Sequence, residues 1–354
     1  MKPLARKLWS ERLFREALKE TWINRLMGEG ADSAVQVLKD TQKSAGDRIR
    51  VGLRMQLSGA GVSGDGTLEG NEVALDFFSD DLTIDQLRQA VRSQGKASEQ
   101  RVPYDMREEA YEGLRDWWAG RIDESGINQL VGNVNQTDVR FTGMQAVVAP
   151  GKILAGTHDD SIGSLSASLS IGTVDAIGRL GIIGYRTIDR AVAHAKTVSP
   201  FIRPVRIMGD EYYMALLHPN AVFQLRRQTS SGEWADIQKA AIQGGKISDN
   251  PIFMGSIGIY NGVVLHESVR LPTAISTPAS GVAADFRMGV FMGAQAAAMA
   301  FGADSDESPN WTEELFDYGN KLGVAAGMVW GLKRLRFNGT DFASIALAGY
   351  APNP

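Results

Sequence analysis

RVPYDMREEAYEGLRDWWAGRIDESGINQLV, residues 101–131, is the longest helical pattern in the sequence, and the fold prediction rests on it. Apolar residues recur there at spacings of three and four, which predicts one buried face made of Met106, Ala110, Leu114, Trp117 or Trp118, and Ile122. Pro103 and Asp105 favour a helix start, and Gly132 favours a helix end. A helix over 103–131 would be about 40 Å long. It is either a spine that organises the whole protein or simply a long helix of one domain.

The composition is ordinary for a globular protein and excludes several kinds of site. The chain has 354 residues, 44% of them hydrophobic and 22% charged, and this length suggests about two domains. Its 37 basic and 41 acidic residues give a net charge of −4, which argues against a protein that mainly grips nucleic-acid phosphates. There is no cysteine, so disulfides and thiolate metal sites are excluded.

The sequence predicts no metal site, no signal peptide and no membrane span. The four histidines, His158, His194, His218 and His266, lie far apart and lack the paired spacing of a metal site. The N-terminus has no apolar core followed by a cleavage site, and no run of about 18 apolar residues occurs. We therefore expect a soluble protein made in the cytoplasm.

An amphipathic segment over 4–27 predicts an N-terminal helical arm. Its apolar stripe includes Leu8 and Trp22. This arm either docks on its own domain or packs on a neighbouring subunit, and in the second case Leu8 and Trp22 are the candidate contacts. Gly28 and Gly30 break the pattern, and a second short helix is predicted over 33–41.

Residues 47–95 predict a long β-hairpin with a glycine-rich tip that stands away from the body. Residues 48–57 alternate, with Ile49, Val51 and Leu53 on one face and Arg48, Arg50 and Arg54 on the other. The tip SGAGVSGDG (58–66) leads to a return strand over 73–78. The segment 82–91 fits either a strand or a helix.

The tip contains a GxGxxG match, Gly59 to Gly64, which raises a nucleotide-binding alternative. A dinucleotide site needs this turn to open a helix whose N-terminus holds the pyrophosphate. Here more glycines and the acids Asp65 and Glu69 follow, and these acids would repel phosphate. The context therefore argues against a nucleotide site.

The rest of the chain predicts a mixture of helices and strands. We expect helices over 168–195 and 234–242, a helix capped by Asn220, and a buried strand over 212–217. The small-residue run 288–300 suggests a strand leading into a helix. Two hairpin turns are predicted, at Asn261-Gly262 and Asn338-Gly339, because both positions tolerate positive φ.

No motif or pair of charged residues predicts catalysis. The acidic pairs 80–81, 159–160 and 313–314 are adjacent in sequence, so their side chains diverge and favour caps or turns. His218 and His266 are expected to be structural. The basic trio Lys333, Arg334 and Arg336 suggests a solvated strand face, with DNA contact as the alternative. We therefore expect no catalytic, cofactor-binding or metal-binding residue and a structural role.

Several stretches resemble the major capsid proteins of tailed bacteriophages, in particular the family typified by coliphage podoviruses. They occur in one order along nearly the whole chain: LSGAGVSGD (57–65), LEGNE (68–72), TIDQLR (83–88), LHP (217–219), NPIFMG (250–255), GIYNGVVLHE (258–267), DYG (317–319) and FNGTD (337–341).

The resemblance implies the α+β Hong Kong 97 (HK97) capsid fold. Its parts would be an N-terminal arm at 1–46, an extended loop at 47–95, a peripheral domain at 96–199 with the spine helix, an axial domain at 200–285, and a return to the peripheral domain at 286–354. The chain would be the major capsid protein of a virion, assembled in the host cytoplasm.

The resemblance also implies the partners. Pentamers and hexamers would form an icosahedral shell around double-stranded DNA, without sequence-specific binding, with a separate scaffolding protein, a portal and room for a decoration protein. Alternatives are an encapsulin-like shell or, far less favoured, a nucleotide-binding enzyme. The inter-subunit contacts predicted are Leu8, Trp22, Arg48, Arg50, Arg54, Gly61, Asp65, Glu69 and Glu72.

Overall fold

The computed structural model of the protein contains both helices and sheets, as predicted. It describes residues 3–38, 47–54, 61–67, 69–70, 72, 77–101, 105–155, 183–198, 200–207, 209–227, 256–272, 286–302 and 310–351. Its α-helices are the arm helix (Pro3–Glu20), a short helix (Lys96–Glu99), the spine helix (Met106–Val131) and two more at Tyr185–Thr197 and Pro219–Arg227. Single 3₁₀ turns lie at Ile23–Leu26 and Val139–Phe141.

The strands of the described chain form two larger sheets and two short two-stranded ribbons. They are β1 (Met27–Gly28), β2 (Val35–Leu38), β3 (Arg48–Arg54), β4 (Phe77–Thr83), β5 (Asp85–Arg92), β6 (Ile153–Ala155), β7 (Val205–Ile207), β8 (Asp210–Leu217), β9 (Ser256–Tyr260), β10 (Val263–Glu267), β11 (Phe286–Met292), β12 (Ala297–Phe301), β13 (Asn310–Phe316), β14 (Lys321–Arg334), β15 (Arg336–Phe337), β16 (Thr340–Asp341) and β17 (Ser344–Tyr350).

The first sheet is built around β14, which pairs antiparallel with β5, β12 and β13. Strand β2 joins it in parallel with β12, and β1 pairs with β2. The second sheet runs in the order β6, β17, β11, β8, β10, β9, with β7 on β8. Strands β6, β11 and β17 of this second sheet lie outside the range 200–285.

The spine helix is capped at both ends by residues that its sequence provides. The Asp105 carboxylate accepts a hydrogen bond from the backbone N–H of Arg107 at 2.9 Å, which satisfies one of the unpaired N–H groups of the first turn. Gly132 ends the helix with φ 79°, a left-handed conformation that favours glycine. The predicted end is confirmed, whereas the helix starts at Met106 and Pro103 lies outside the described residues.

The buried face of the spine helix contains the predicted Ala110, Leu114 and Ile122, and Trp118 is the buried one of the two tryptophans. From residue 125 to 131 every side of the helix is buried. The helix contacts the arm helix, strands β5 and β14 of the first sheet and strands β11 and β17 of the second. The spine interpretation is therefore confirmed, because this one helix packs against both sheets.

Three predictions of helical structure are wrong, and tertiary pairing explains two of them. The helix expected over 33–41 is instead strand β2, whose residues pair with β12. The helix expected at the end of 288–300 is strand β12, because an all-apolar run fits a strand buried between two neighbours as well as it fits a helix. The arm helix ends at Glu20, short of the predicted residue 27.

The cap predicted at Asn220 is also wrong. The helix begins one residue earlier, at Pro219, where the missing N–H costs nothing. The ring Nδ1 of His218 accepts a hydrogen bond from the backbone N–H of Asn220 at 3.1 Å. His218 therefore caps this helix, in agreement with its expected structural role.

Other local predictions are confirmed. Strand β8 covers the segment expected as a buried strand. The ambiguous segment 82–91 is extended, as the end of β4 and most of β5. Both hairpin turns form, with Asn261 and Asn338 at positive φ, each followed by a glycine at positive φ. The helix expected over 168–195 is present as Tyr185–Thr197, while 168–182 and the helix expected over 234–242 lie outside the described residues.

Two strand glycines test how closely the first sheet is packed. A methyl group at Gly331 in β14 would lie 2.2 Å from the carbonyl oxygen of Thr83, whereas no atom of the described residues would lie within 4 Å of a methyl group at Gly52 in the β3–β4 hairpin. We expect Gly331→Ala to lower the free energy of unfolding by about 1–3 kcal/mol, because a backbone group must move. Gly52→Ala is the matched control and should stay within about 0.5 kcal/mol. Urea unfolding measures both, and equal effects would contradict the packing described.

Candidate functional site

The hairpin formed by β3 and β4 has one face toward the body of the protein and one toward solvent. Its register pairs Ile49 with Leu82 and Val51 with Asp80. Val51 and Leu82 are buried, so the base of the hairpin packs on the body. Phe77, on the other face, is 66% exposed. The predicted hairpin is confirmed, but its return strand is β4 (Phe77–Thr83) and not the predicted 73–78, of which 73–76 lie outside the described residues. Its base packs on the body, although the hairpin was expected to stand away from it.

Asp80 anchors the inward face of the hairpin by charge. Its carboxylate contacts Lys333 Nζ at 2.5 Å and accepts a hydrogen bond from the backbone N–H of Arg336 at 2.9 Å. The same Lys333 donates to the carbonyl of Asp81 at 2.8 Å. Because the side chains of Asp80 and Lys333 are mostly buried, this contact fixes the hairpin base to the end of β14.

Asp81, the next residue, points to the opposite face and pairs across the hairpin. The Arg50 guanidinium donates to its carboxylate at 2.8 Å, and this bond lowers the pKa of the Asp81 carboxyl. The two adjacent acids therefore diverge, as predicted, but they are strand residues and their expected role as caps or turns is wrong. Arg50 is occupied within its own chain, Arg48 is exposed, and the side chain of Arg54 lies outside the described residues.

The described part of the hairpin tip is exposed to solvent. Gly61 and Gly64 adopt φ values of 69° and 62°, and Asp65 and Glu69 are exposed. Glu72 accepts a hydrogen bond from the backbone N–H of Gly70 at 2.8 Å and so closes a turn within the tip. Residues 61–67 form loop and turn, with no helix that could hold a pyrophosphate among them. Gly59 lies outside the described residues.

The second half of the arm docks on its own chain. Leu13, Phe14 and Ala17 are buried, and the ring of Phe14 lies 5.0 Å from that of Trp118 on the spine helix. Tyr111 of the spine helix donates to Glu16 at 2.9 Å. The pKa of Tyr111 is raised to about 12, chiefly by burial and secondly by this bond to a carboxylate. This half of the arm thus matches the interpretation of a helix packed on its own domain.

The turn after the arm helix is held by a carboxylate of the spine helix. Asp123 accepts hydrogen bonds from the backbone N–H groups of Trp22 and Ile23, both at 3.1 Å. Trp22 is half-buried and its ring lies 5.8 Å from that of His266. The side chain of Leu8 lies outside the described residues. Of the two predicted arm contacts, the structure therefore places Trp22 against its own chain.

The basic trio is wrongly predicted as a solvated face. Arg334 is buried, and its Nε lies 3.0 Å from the equally buried carboxylate of Asp341. Arg336 lies 3.2 Å from the same carboxylate, which also accepts the backbone N–H of Gly151 at 2.6 Å. Lys333 is engaged by Asp80. All three side chains are therefore paired with carboxylates inside the chain, which removes the support for a DNA-contacting strand face here.

Sequence reasoning missed the acids that organise this region. Asp80, Asp123 and Asp341 each bind groups far away in the chain; Lys333 and Asp80, for example, are 253 residues apart. The one available signal is that an acid on the apolar face of a strand, as Asp80 is on β4, needs a buried partner. Nothing in the sequence identifies that partner.

The described residues contain no group of three or more histidine, aspartate or glutamate side chains placed to hold a metal ion. Within the same part of the chain, no helix is both long and apolar enough to cross a membrane.

Comparison with known proteins gives one family over the whole chain. The family model described as phage capsid protein matches residues 1–352. A major capsid protein of Pseudomonas phage KPP25 is 28% identical over 349 residues, covering 93% of this chain and 89% of that protein. The capsid of Ralstonia phage GP4 is 26% identical with a TM-score of 0.76, covering 94% of this chain and 92% of that chain.

A more distant structure shares the fold. The capsid asymmetric unit of cyanophage Pam1 is 20% identical with a TM-score of 0.69, covering 95% of this chain and 94% of that chain. The predicted α+β capsid fold and the resemblance to phage capsid proteins are therefore confirmed.

The cluster of Arg334, Arg336 and Asp341 should contribute far more to the free energy of unfolding than an exposed ion pair does. We expect Asp341→Asn to lower the free energy of unfolding by about 3–5 kcal/mol, because it leaves two arginines without their buried counter-charge. The control is Asp138→Asn, which breaks the exposed pair with Arg140 and should leave the urea midpoint unchanged. A similar loss in both variants would show that the cluster is not specially stabilising.

Proposed function

Because the chain belongs to the phage capsid protein family, we propose that its function is to assemble, as the major capsid protein, into the pentamers and hexamers of an icosahedral shell. The match over residues 1–352 carries this proposal, because it leaves no sizeable part of the chain for a second activity. The prediction of a structural protein with no enzymatic role is supported by the same match. The relatives named above are phage capsids, which favours this role over an enzyme-storing compartment.

The geometry supports assembly through the hairpin. A two-stranded hairpin is at best marginally stable alone, and among its described residues those of the base pack on the body while those of the tip are exposed. A neighbouring subunit would supply the missing contacts. We assign Arg48, Gly61, Asp65, Glu69 and Glu72 to such contacts.

The other residues predicted as inter-subunit contacts have a different status. Arg50 is paired with Asp81 and Trp22 rests on its own chain, so each would contribute to assembly through the surface around it. Leu8 and Arg54 remain proposals, because their side chains lie outside the described residues. Modest contacts distributed over arm and hairpin suit a subunit that must stay soluble alone yet bind many copies.

We also propose the division into parts that the family implies. The arm is 1–46, the extended loop 47–95, the peripheral domain 96–199 and 286–354, and the axial domain 200–285. The two larger sheets support a division into two bodies, with the spine helix between them. Strands β11 and β17 extend the second sheet beyond 200–285. The segment 286–354 therefore contributes strands to both larger sheets.

The partners follow from the role. Packaged double-stranded DNA would fill the shell without sequence-specific contacts, in keeping with a net charge of −4. A separate scaffolding protein, a portal and a decoration protein complete the proposed partners, and assembly would take place in the host cytoplasm.

Removing the hairpin tip tests the function directly. We expect a variant with residues 59–72 replaced by Asn-Gly to remain folded, because the core lies in the spine helix and the sheets, but to form no closed shells. The chain and its scaffolding protein would be co-expressed and examined by electron microscopy. Arg206→Gln, an exposed change on β7, is the control and should assemble normally. Normal shells from the shortened variant, or a thermal shift of the intact chain with NAD or ATP, would contradict the proposal.

The mature shell should not be covalently crosslinked through a lysine of the extended loop. Between Lys43 and Lys96 the chain contains no lysine, so no amine is present there to form such a bond. Mature particles should therefore run as a single monomer band on a denaturing gel. A ladder of crosslinked species would contradict this prediction.

Closed shells of normal size from the chain expressed alone would count separately against a scaffolding protein.

A further inference from the structure

The hairpin segment carries an unusual concentration of negative charge. Residues 55–87 contain no lysine, arginine or histidine and seven acids: Asp65, Glu69, Glu72, Asp76, Asp80, Asp81 and Asp85. At the base, Asp80 and Asp81 are neutralised within the chain by Lys333 and Arg50. At the tip, Asp65 and Glu69 are exposed and no cation within the same segment is available to them. The tip therefore offers negative charge that a cationic surface on another molecule can bind.

The outer face of β5 carries positive charge that no described carboxylate neutralises. Arg88 and Arg92 lie four residues apart on this strand, so they point to the same face, and both are exposed. Lys96, just beyond the strand, is also exposed. Among the described residues, no carboxylate forms a salt bridge with any of the three. Each charge is thus left to water or to another molecule.

The neighbouring strands leave this face flat and open. Arg88 lies opposite Gly327, and Arg92 lies opposite Gly323. The stem of Arg88 crosses Gly327 so closely that a methyl group there would be 2.7 Å from its Cγ. The guanidinium of Arg92 lies 5.2 Å from the ring centroid of Phe316, which is 39% exposed. Arg88 is therefore held over a glycine, and Arg92 is held beside the aromatic ring that covers Gly323.

We propose that the acidic hairpin tip of one subunit docks on the β5 face of a neighbouring subunit, where Arg88 and Arg92 bind its carboxylates. The inference rests on the proposed function, since it needs a second copy of this chain. Guanidinium groups suit the task because they bind carboxylates through paired hydrogen bonds. Opposite charges on the two surfaces orient the encounter and set the register of the contact.

This contact has the symmetry that a ring requires. The tip and the β5 face are different surfaces, so each subunit donates its tip to one neighbour and receives a tip from the other. Such a head-to-tail contact either closes into a ring or grows into an open filament. Pentamers and hexamers are the closed solutions, and one interface repeated around the ring would hold them.

A second cationic surface fits the tip less well. A cavity of about 470 Å³ on the spine helix is lined by Arg121 and Arg270, but also by Asp116 and Glu124. Arg270 is further engaged by the spine helix, where it donates to the carbonyl of Gly120 at 3.0 Å and lies 3.5 Å from Asp123. The acids cancel the positive charge, so the β5 face is the better partner for an acidic segment.

Charge reversal tests the contact. We expect the variant Arg88→Glu/Arg92→Glu to reduce the yield of sedimenting particles about tenfold or more, because like charges now face each other. Adding Asp65→Lys and Glu69→Lys to the same chain should restore most of the yield. The matched control, Arg206→Glu, removes one exposed positive charge from another strand and should have little effect. Circular dichroism of each variant confirms that the monomer is folded.

Crosslinking gives a second, direct readout. Because the chain lacks cysteine, a pair of introduced cysteines reports only on their own distance. The pair Asp65→Cys with Ala90→Cys, treated with a short bismaleimide in assembled particles, should give a ladder on a denaturing gel. Either single variant, and the pair Asp65→Cys with Arg206→Cys, should give none.

The outcomes distinguish a failure of the docking from a failure of the capsid role. If wild-type chains form shells while charge reversal has no effect, or the lysine changes fail to restore assembly, the docking is wrong and the capsid role stands. A ladder from the control pair but not from the β5 pair would also overturn the docking. If wild-type chains never form shells with the scaffolding protein, the capsid role itself fails and the docking with it.

Discussion

Burial of the spine helix is the constraint on which the rest of the structure depends. Its last two turns are enclosed on every side, and Trp118 and Ile122 are fully buried. No single neighbour can provide this environment, since the arm helix, the first sheet and the second sheet each cover a different part. The apolar surface of the helix is removed from water only when all three are in place, which makes their folding mutually dependent.

Charged groups then decide what is fixed to this core and what is free. At the base of the hairpin, Asp80 binds Lys333, at the end of the longest strand, and the backbone of Arg336, which begins the next strand. Further along the hairpin, Asp65 and Glu69 are exposed, and neither forms an ion pair with another described residue. One segment of sequence thus serves two purposes, because its base is held rigidly by its own chain and its tip keeps charge available for another chain.

The cluster around Asp341 shows why a charge pattern alone is a poor guide to exposure. Three basic residues close together normally indicate a solvated surface, and that prediction was wrong here. A buried arginine is tolerated when a carboxylate and backbone carbonyls surround it, and Arg334 donates to the carbonyls of Val148 and Ala149 as well as facing Asp341. Asp341 is only seven residues from Arg334, but the two carbonyls come from a distant part of the chain, so the burial of this arginine is a property of the fold.

The sequence by itself determined the elements whose signals are local. The spacing of apolar residues located the spine helix, Asp105 and Gly132 marked its limits, alternation located the hairpin strands, and Asn-Gly pairs located two turns, because each of these depends on neighbours within a few residues. The tertiary structure alone decided that 35–38 and 297–301 are strands, that the second half of the arm docks on its own spine helix, and that Asp80 and Asp341 hold the basic trio. Most of these features depend on contacts between residues far apart in the chain, up to the 262 positions that separate Val35 from Ala297, and no short stretch of sequence contains both partners.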